Sequence, residues 1–274
     1  MLTRRSVLAG LFLFTVACGS KEGASTKDAS RLTLTGSSTV QPIIEDAAPL
    51  FEQKKPGLKI EIQGGGSGAG IKTATEGKAD IGMVSRGLKP EESTLVATKI
   101  ADDGIAILVH KDNPLSAITK EQVIKLYTGE ALNWKDIGGN DGVVTLITKE
   151  EGRSTLELFA KHFEIEKKIK ADAIVIGPNG QAIKTLEGNP NAIAYLSIGS
   201  AEKAVEAGSP IKLLSLDGVT ATTANVQNAT YPLRRPLNLV TKGAPTGVAK
   251  EFLDFMLSPE GQGVVVKQDF VPLK

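Results

Sequence analysis

Leu32-Thr33-Leu34-Thr35-Gly36-Ser37-Ser38-Thr39-Val40-Gln41-Pro42-Ile43-Ile44 sets the pattern on which the rest of the chain is built. Leu32 and Leu34 alternate with threonines, the period-two signature of a strand. Gly36 and three hydroxyl residues then interrupt it, and Pro42 stands where the first turn of a helix tolerates a residue without an N–H. Ile43, Ile44, Ala47, Leu50 and Phe51 continue at helical spacing. The unit is a strand, a hydroxyl-rich turn and a helix.

The alternation extends along the chain. Strand-length runs recur at 59–62, 81–84, 105–109, 143–147, 173–176, 193–196, 211–214 and 237–240, each bounded by Gly, Pro, Asn or Asp. Between them lie amphipathic segments. Val123, Ile124 and Tyr127 follow a Thr119-Lys120-Glu121-Gln122 capping box, and Leu156, Phe159, Ala160 and Phe163 repeat the helical spacing. Val248, Phe252, Phe255 and Met256 do so again before Pro259 ends the helix. This order predicts an α/β protein with doubly wound sheets and mixed edges. There is no tandem repeat and no Pro/Gly-rich linker, so two lobes would be joined by continuous strands. The expected crossovers are Val109-His110-Lys111 and Tyr231-Pro232-Leu233. They give one lobe of residues 31–109 plus 232–274 and a second of 110–231.

The first residues predict export. Arg4 and Arg5 precede a short apolar run that ends at Ala17-Cys18, too short to span a bilayer, so residues 1–17 read as a signal peptide. Ala17-Cys18 resembles a bacterial lipoprotein cleavage site, with Cys18 lipidated, although Thr15 stands where such sites usually carry leucine. Thr3-Arg4-Arg5-Ser6-Val7-Leu8 also resembles a twin-arginine signal. Residues 18–30 read as a lipidated N-terminus and a polar tether. The expected location is the periplasm or the outer face of the cell membrane, with the membrane touched only through the lipid. Cys18 is the only cysteine, so an intrachain disulfide is excluded. Without Arg4 and Arg5 the balance is near neutral, against 31 acids. Neither nucleic acid nor an acidic polymer is expected as a partner. Trp134 is the only tryptophan, so a sugar-binding cleft lacks its usual platforms.

Three places set Gly and hydroxyl residues after a strand and before a helix: 35–42, 64–71 with Ser67 as the expected cap, and 151–156. A helix N-terminus offers unpaired N–H groups and partial positive charge, glycine lets the backbone approach, and Ser or Thr adds a donor. Placed where open α/β sheets hold their ligands, three such turns predict an oxyanion site. None is a P-loop. Arg86, after Ser85 at the end of the 81–84 run, and Arg153, inside the third turn, are candidate guanidinium forks. Asp103, just before Gly104, is the candidate acceptor for a protonated oxyanion, which would favour phosphate over sulfate. His110 and His162, the only histidines, stand in no hydrolase or zinc motif. No enzyme, metal or cofactor is expected.

Taken together, residues 36–42, 65–70, 79–86 and 151–155 resemble the PstS-type phosphate-binding proteins of bacterial ABC importers. The resemblance continues through Leu126-Tyr127-Thr128-Gly129, residues 133–139 and residues 189–195, and covers essentially all of 31–274. It implies a type II periplasmic-binding-protein fold, two α/β lobes closing on inorganic phosphate, and delivery to an ABC permease powered by a separate ATPase. A monomer is expected. By position the resemblance assigns Ser37, Ser38, Thr39, Ser67, Ser85, Arg86, Arg153, Ser154 and Thr155 to the anion. Many members carry Asp in place of Arg86, where it accepts the phosphate proton; hence the nomination of Asp103 here. Many also read Gly-Ser-Gly-Thr where this chain has Gly152-Arg153-Ser154-Thr155. Sulfate, molybdate or arsenate binding is the rival reading, and a secreted phosphatase using Ser38 or Ser154 a more distant one.

Overall fold

The computed structural model describes residues 30–274. The signal segment, Cys18 and the tether through residue 29 lie outside the described residues. Ser30, expected as the last tether residue, already opens β1 (Ser30–Gly36). Leu32 and Leu34 are buried and the intervening threonines partly exposed, as the alternation requires. α1 (Gln41–Lys54) carries its proline in the first turn and buries Ile43, Ile44, Ala47 and Phe51. β2 (Leu58–Gln63), α2 (Ser67–Thr75) and β3 (Ile81–Val84) follow, and β1 pairs in parallel with both β2 and β3. Parallel pairing requires crossovers, which the two helices supply.

β4 (Leu95–His110) is a single strand of 16 residues that serves two sheets. From Leu95 to Gly104 it pairs antiparallel with β10 (Arg234–Lys242), which also pairs with β3. From Ile105 it pairs antiparallel with β8 (Ala192–Ser197), and from Ile107 also with β9 (Ile211–Leu216). β8 lies parallel to β6 (Thr145–Lys149), and β6 parallel to β7 (Ile174–Ile176). β5 (Ala117–Ile118) joins β9, and β11 (Val271–Pro272) joins β4.

Around the second sheet pack α3 (Lys120–Thr128), α4 (Ser154–Phe163), α5 (Asn179–Glu187), α6 (Ile198–Glu206) and α7 (Thr223–Gln227). The Thr119–Gln122 box caps α3, each side chain bonding the other residue's backbone N–H. α8 (Gly247–Leu257) and α9 (Pro259–Lys267) pack beside α1. Pro259 does more than end α8: it opens α9, and Ser258 caps that helix through Gly261 N–H.

Each half has its own core. Leu34, Ile44, Phe51, Met83, Leu239 and Phe252 belong to the first, and Tyr127, Trp134, Phe159, Tyr195 and Leu214 to the second. Phe159 and Tyr195 stack at 3.7 Å, with Tyr127 edge-on to both. Residues 105–109, expected with the first lobe, pack in the second core. β4 changes strand partners between Gly104 and Ile105, and β10 begins at Arg234. The apolar run 105–109 continues the strand before it, so no linker marks the break. Gly104 marks it structurally: a Cβ there would lie 2.5 Å from Ile198 Cδ1 and 2.9 Å from Val226 Cγ2.

α2 sits against the sheet because Gly70 lets it. A Cβ at that position would lie 2.7 Å from Met83 O and 2.8 Å from Thr35 O, backbone atoms that cannot swing aside. Gly70→Ala should therefore destabilise the protein by about 3 kcal/mol. An unchanged urea midpoint would contradict this packing.

Candidate functional site

The carboxyl ends of β1, β3 and β6 open on one cleft, and the turns after them deliver hydroxyl groups to it. Ser37 N–H donates to Met83 O at 2.9 Å, tying the first turn to β3. Its Oγ accepts from Thr39 N–H at 3.2 Å and donates to Ser85 Oγ at 3.0 Å. Ser67 opens α2 behind Gly66, whose φ of 87° few other residues adopt. The Ser67 hydroxyl, expected as a cap, instead accepts from Ser85 N–H at 3.1 Å and lies 2.8 Å from Ser154 Oγ. Ser85 and Ser154 Oγ are 2.7 Å apart. Three serines, two from the first lobe and one from the second, thus meet in a buried knot.

Arg235 organises the rest. It stands opposite Asp103 in the β10–β4 register, and its Nε and one terminal nitrogen donate to Asp103 Oδ2 at 3.0 and 2.8 Å. Both side chains are 1% exposed. The guanidinium also donates to Thr155 Oγ1 at 2.9 Å, to Thr39 Oγ1 at 3.1 Å and, more weakly, to Ser85 Oγ at 3.4 Å. Asp103 Oδ1 lies 3.4 Å from Gly199 N at the start of α6. Asp103 is therefore a strand residue whose carboxylate holds Arg235.

The structure gathers Ser37, Thr39, Ser67, Ser85, Asp103, Ser154 and Thr155 into one buried cluster. Ser38 is half-buried and borders a neighbouring cavity of about 320 Å³ with Asn179 and Ser200. The two arginines nominated as forks turn elsewhere. Arg86 donates to Glu92 through two nitrogens at 2.7 and 2.8 Å, and Arg153 donates to Glu150 at 2.9 Å while packing over Gly66. Each has a carboxylate within reach, and a buried guanidinium takes the nearest anionic partner.

Sequence reasoning missed Arg235, Lys149 and Asn179. Arg235 begins a strand beside an expected crossover, which was the available signal. Lys149, at the end of β6, is 3% exposed. Its Nζ lies 3.3 Å from Gly177 O and from Pro178 O, and 3.4 Å from Asn179 Oδ1. Asn179 Nδ2 then donates across the cleft to Thr39 Oγ1 at 3.1 Å. Burial, with the positive charges of Arg153 and Arg235 adding to it, pushes the Lys149 ammonium down to about 7.

Chemically this is a nest of donors. The Ser85 and Ser154 hydroxyls meet other hydroxyls, a guanidinium and the Ser85 carbonyl, none of them a general base. His110 Nδ1 accepts from Asp112 N–H at 3.2 Å, and His162 packs on Phe163. Among the described residues no group of three or more His, Cys, Asp or Glu could hold a metal.

Two α/β halves sharing strands, with helix starts and hydroxyls converging between them, define a type II periplasmic-binding-protein fold with an oxyanion-type cleft. Residues 22–260 match the PBP superfamily domain. The chain is 31% identical to the phosphate-binding protein PstS of Bacillus subtilis, over 97% of this chain and 92% of that one. A Clostridium perfringens substrate-binding protein assigned to phosphate ABC transport, crystallised with bound phosphate, superposes with a TM-score of 0.83. It is 36% identical, covering 89% of this chain and all of that one (100%). An ABC-type phosphate transport receptor from Vibrio cholerae gives a TM-score of 0.70 at 30% identity, with coverage of 89% and 100%. The chain belongs to the PstS-type phosphate-binding protein family.

Lys149 gives a pH test. Its folded value, about 7, lies below its ordinary 10.5, so folding favours the neutral amine. The burial penalty is complete below pH 7 and fades as pH rises toward 10.5. Denaturation of the phosphate-free protein should show wild type gaining stability on Lys149→Met between pH 7 and 10. Parallel pH profiles for the two proteins would contradict the assignment.

Proposed function

We propose that this chain binds inorganic phosphate outside the cytoplasm and hands it to an ABC-type import permease driven by a separate ATPase, without altering the anion chemically. The observation that carries the reading is the buried convergence of the Arg235 guanidinium with the hydroxyls of Thr39, Ser67, Ser85, Ser154 and Thr155. Such a set binds a desolvated tetrahedral anion through many short donors without a large excess of charge. The relatives named for phosphate binding and phosphate transport support the same ligand. In this reading the protein is held at the membrane by lipid on Cys18 and acts as a monomer, the lobes rotating about the two shared connections.

Asp103 enters the reading through Arg235 and not as a direct reader of the phosphate proton. Its Oδ2 already receives two guanidinium N–H groups. A serine or threonine hydroxyl can accept a hydrogen bond as well as donate one, so the hydroxyl cluster itself accommodates the proton that phosphate keeps at neutral pH and sulfate lacks.

Calorimetry on phosphate-stripped protein should give one phosphate site and comparable arsenate binding, with sulfate and molybdate weaker. Sulfate binding more tightly than phosphate would overturn the ligand assignment. Asp103→Asn should weaken phosphate and sulfate together by about 100-fold, because Arg235 loses the carboxylate that aims its remaining N–H groups into the cluster, an effect larger than the charge it frees. A loss confined to phosphate would instead make Asp103 the direct proton acceptor.

A further inference from the structure

Arg86, turned away from the anion cluster, forms part of a second contact between the lobes. Glu157 lies in the first turn of α4, two residues beyond Thr155, and its carboxylate crosses the cleft. Its Oε2 is 3.0 Å from Arg86 Nε and 3.0 Å from Lys89 Nζ, both on the first lobe. We propose that Glu157 is an electrostatic latch that stabilises the closed lobes independently of the anion, and so sets how fast phosphate is released. The proposal rests on the phosphate-binding reading for its ligand, though not for the contact itself.

The receiving side is built in advance. Glu92 holds both terminal nitrogens of Arg86 at 2.7 and 2.8 Å, and also accepts Lys89 N–H at 2.8 Å. The Arg86 and Glu92 side chains are only 6% and 10% exposed. Nε is the guanidinium group that Glu92 leaves over. It is buried, forms no aligned hydrogen bond, and has the Glu157 carboxylate as its counter-charge at ion-pair distance. Opening the cleft would leave that N–H facing the cleft alone, whereas Glu157, 29% exposed, returns readily to water. Because Glu92 has already ordered Arg86, closure costs little side-chain entropy at this point. None of these residues touches the hydroxyl cluster, so the latch adds to closure by the anion without competing for it. Glu157 is a positioning residue: it biases the two-state equilibrium on which the ligand also acts.

The test uses Glu157→Gln on the purified full chain. Stopped-flow release of phosphate should quicken by about tenfold while association changes little, and raising salt from 0.05 to 0.5 M should speed release from wild type more than from the variant. Lys89→Met, at an exposed position, should produce a smaller effect that disappears in the Glu157→Gln background. Small-angle scattering on phosphate-free protein should show a larger radius of gyration for Glu157→Gln than for wild type. Equal radii and equal release rates would overturn the latch. Should neither protein bind phosphate, the ligand reading fails, and the scattering comparison still decides the latch.

Discussion

The pairing of Arg235 with Asp103 is the constraint around which the cleft is arranged. A guanidinium with 1% of its side chain exposed requires a counter-charge, and the cross-strand register supplies one directly opposite. With Nε and one edge of the fork fixed on Asp103, the remaining N–H groups can only face Thr39, Ser85 and Thr155. The ion pair thereby sets the direction of the donors. Since Asp103 and Arg235 sit on the two strands beside the lobe boundary, that direction is tied to the connection between the halves.

The cluster is rich in hydroxyls and sparing in charge, and that choice has a physical reason. Unpaired cations packed together in a buried cleft would repel one another and raise the cost of burial. Here Arg86, Arg153 and Arg235 each have a carboxylate, and Lys149, which lacks one of its own, is pushed toward the neutral amine. Serine and threonine donors carry no such penalty and can reverse their role as the anion's protonation demands.

How much of this was legible in the sequence depended on the range of the interaction. Local signals were reliable: the Leu32–Leu34 alternation, Pro42 in the first turn of α1, and the Thr119–Gln122 box all appear where the pattern placed them. The hydroxyl turns also marked the cleft, because their chemistry is local to a strand end and a helix start. What the sequence concealed was directional or distant. Residues 95–103 mix Leu95, Val96, Ala97, Ile100 and Ala101 with Thr98, Lys99, Asp102 and Asp103, show no clean alternation, and form a strand by pairing with β10, more than 130 residues away. Arg86 and Arg153 were read by residue type, yet their directions are set by Glu92, Glu157 and Glu150. Arg235 passed unnoticed because its significance lies entirely in what stands across the sheet.

The strand that both sheets share has a mechanical consequence. Because β4 changes partners at Gly104, one residue beyond Asp103, the charged centre of the cleft lies almost on the pivot between the halves. A lever moves least near its fulcrum. Asp103 and Arg235 would keep their geometry through an opening stroke, while Ser154, Thr155 and Glu157, carried by the other half, leave their partners on the first. The cleft is built as a stationary jaw that carries the charge and a travelling jaw that carries the hydroxyls of α4.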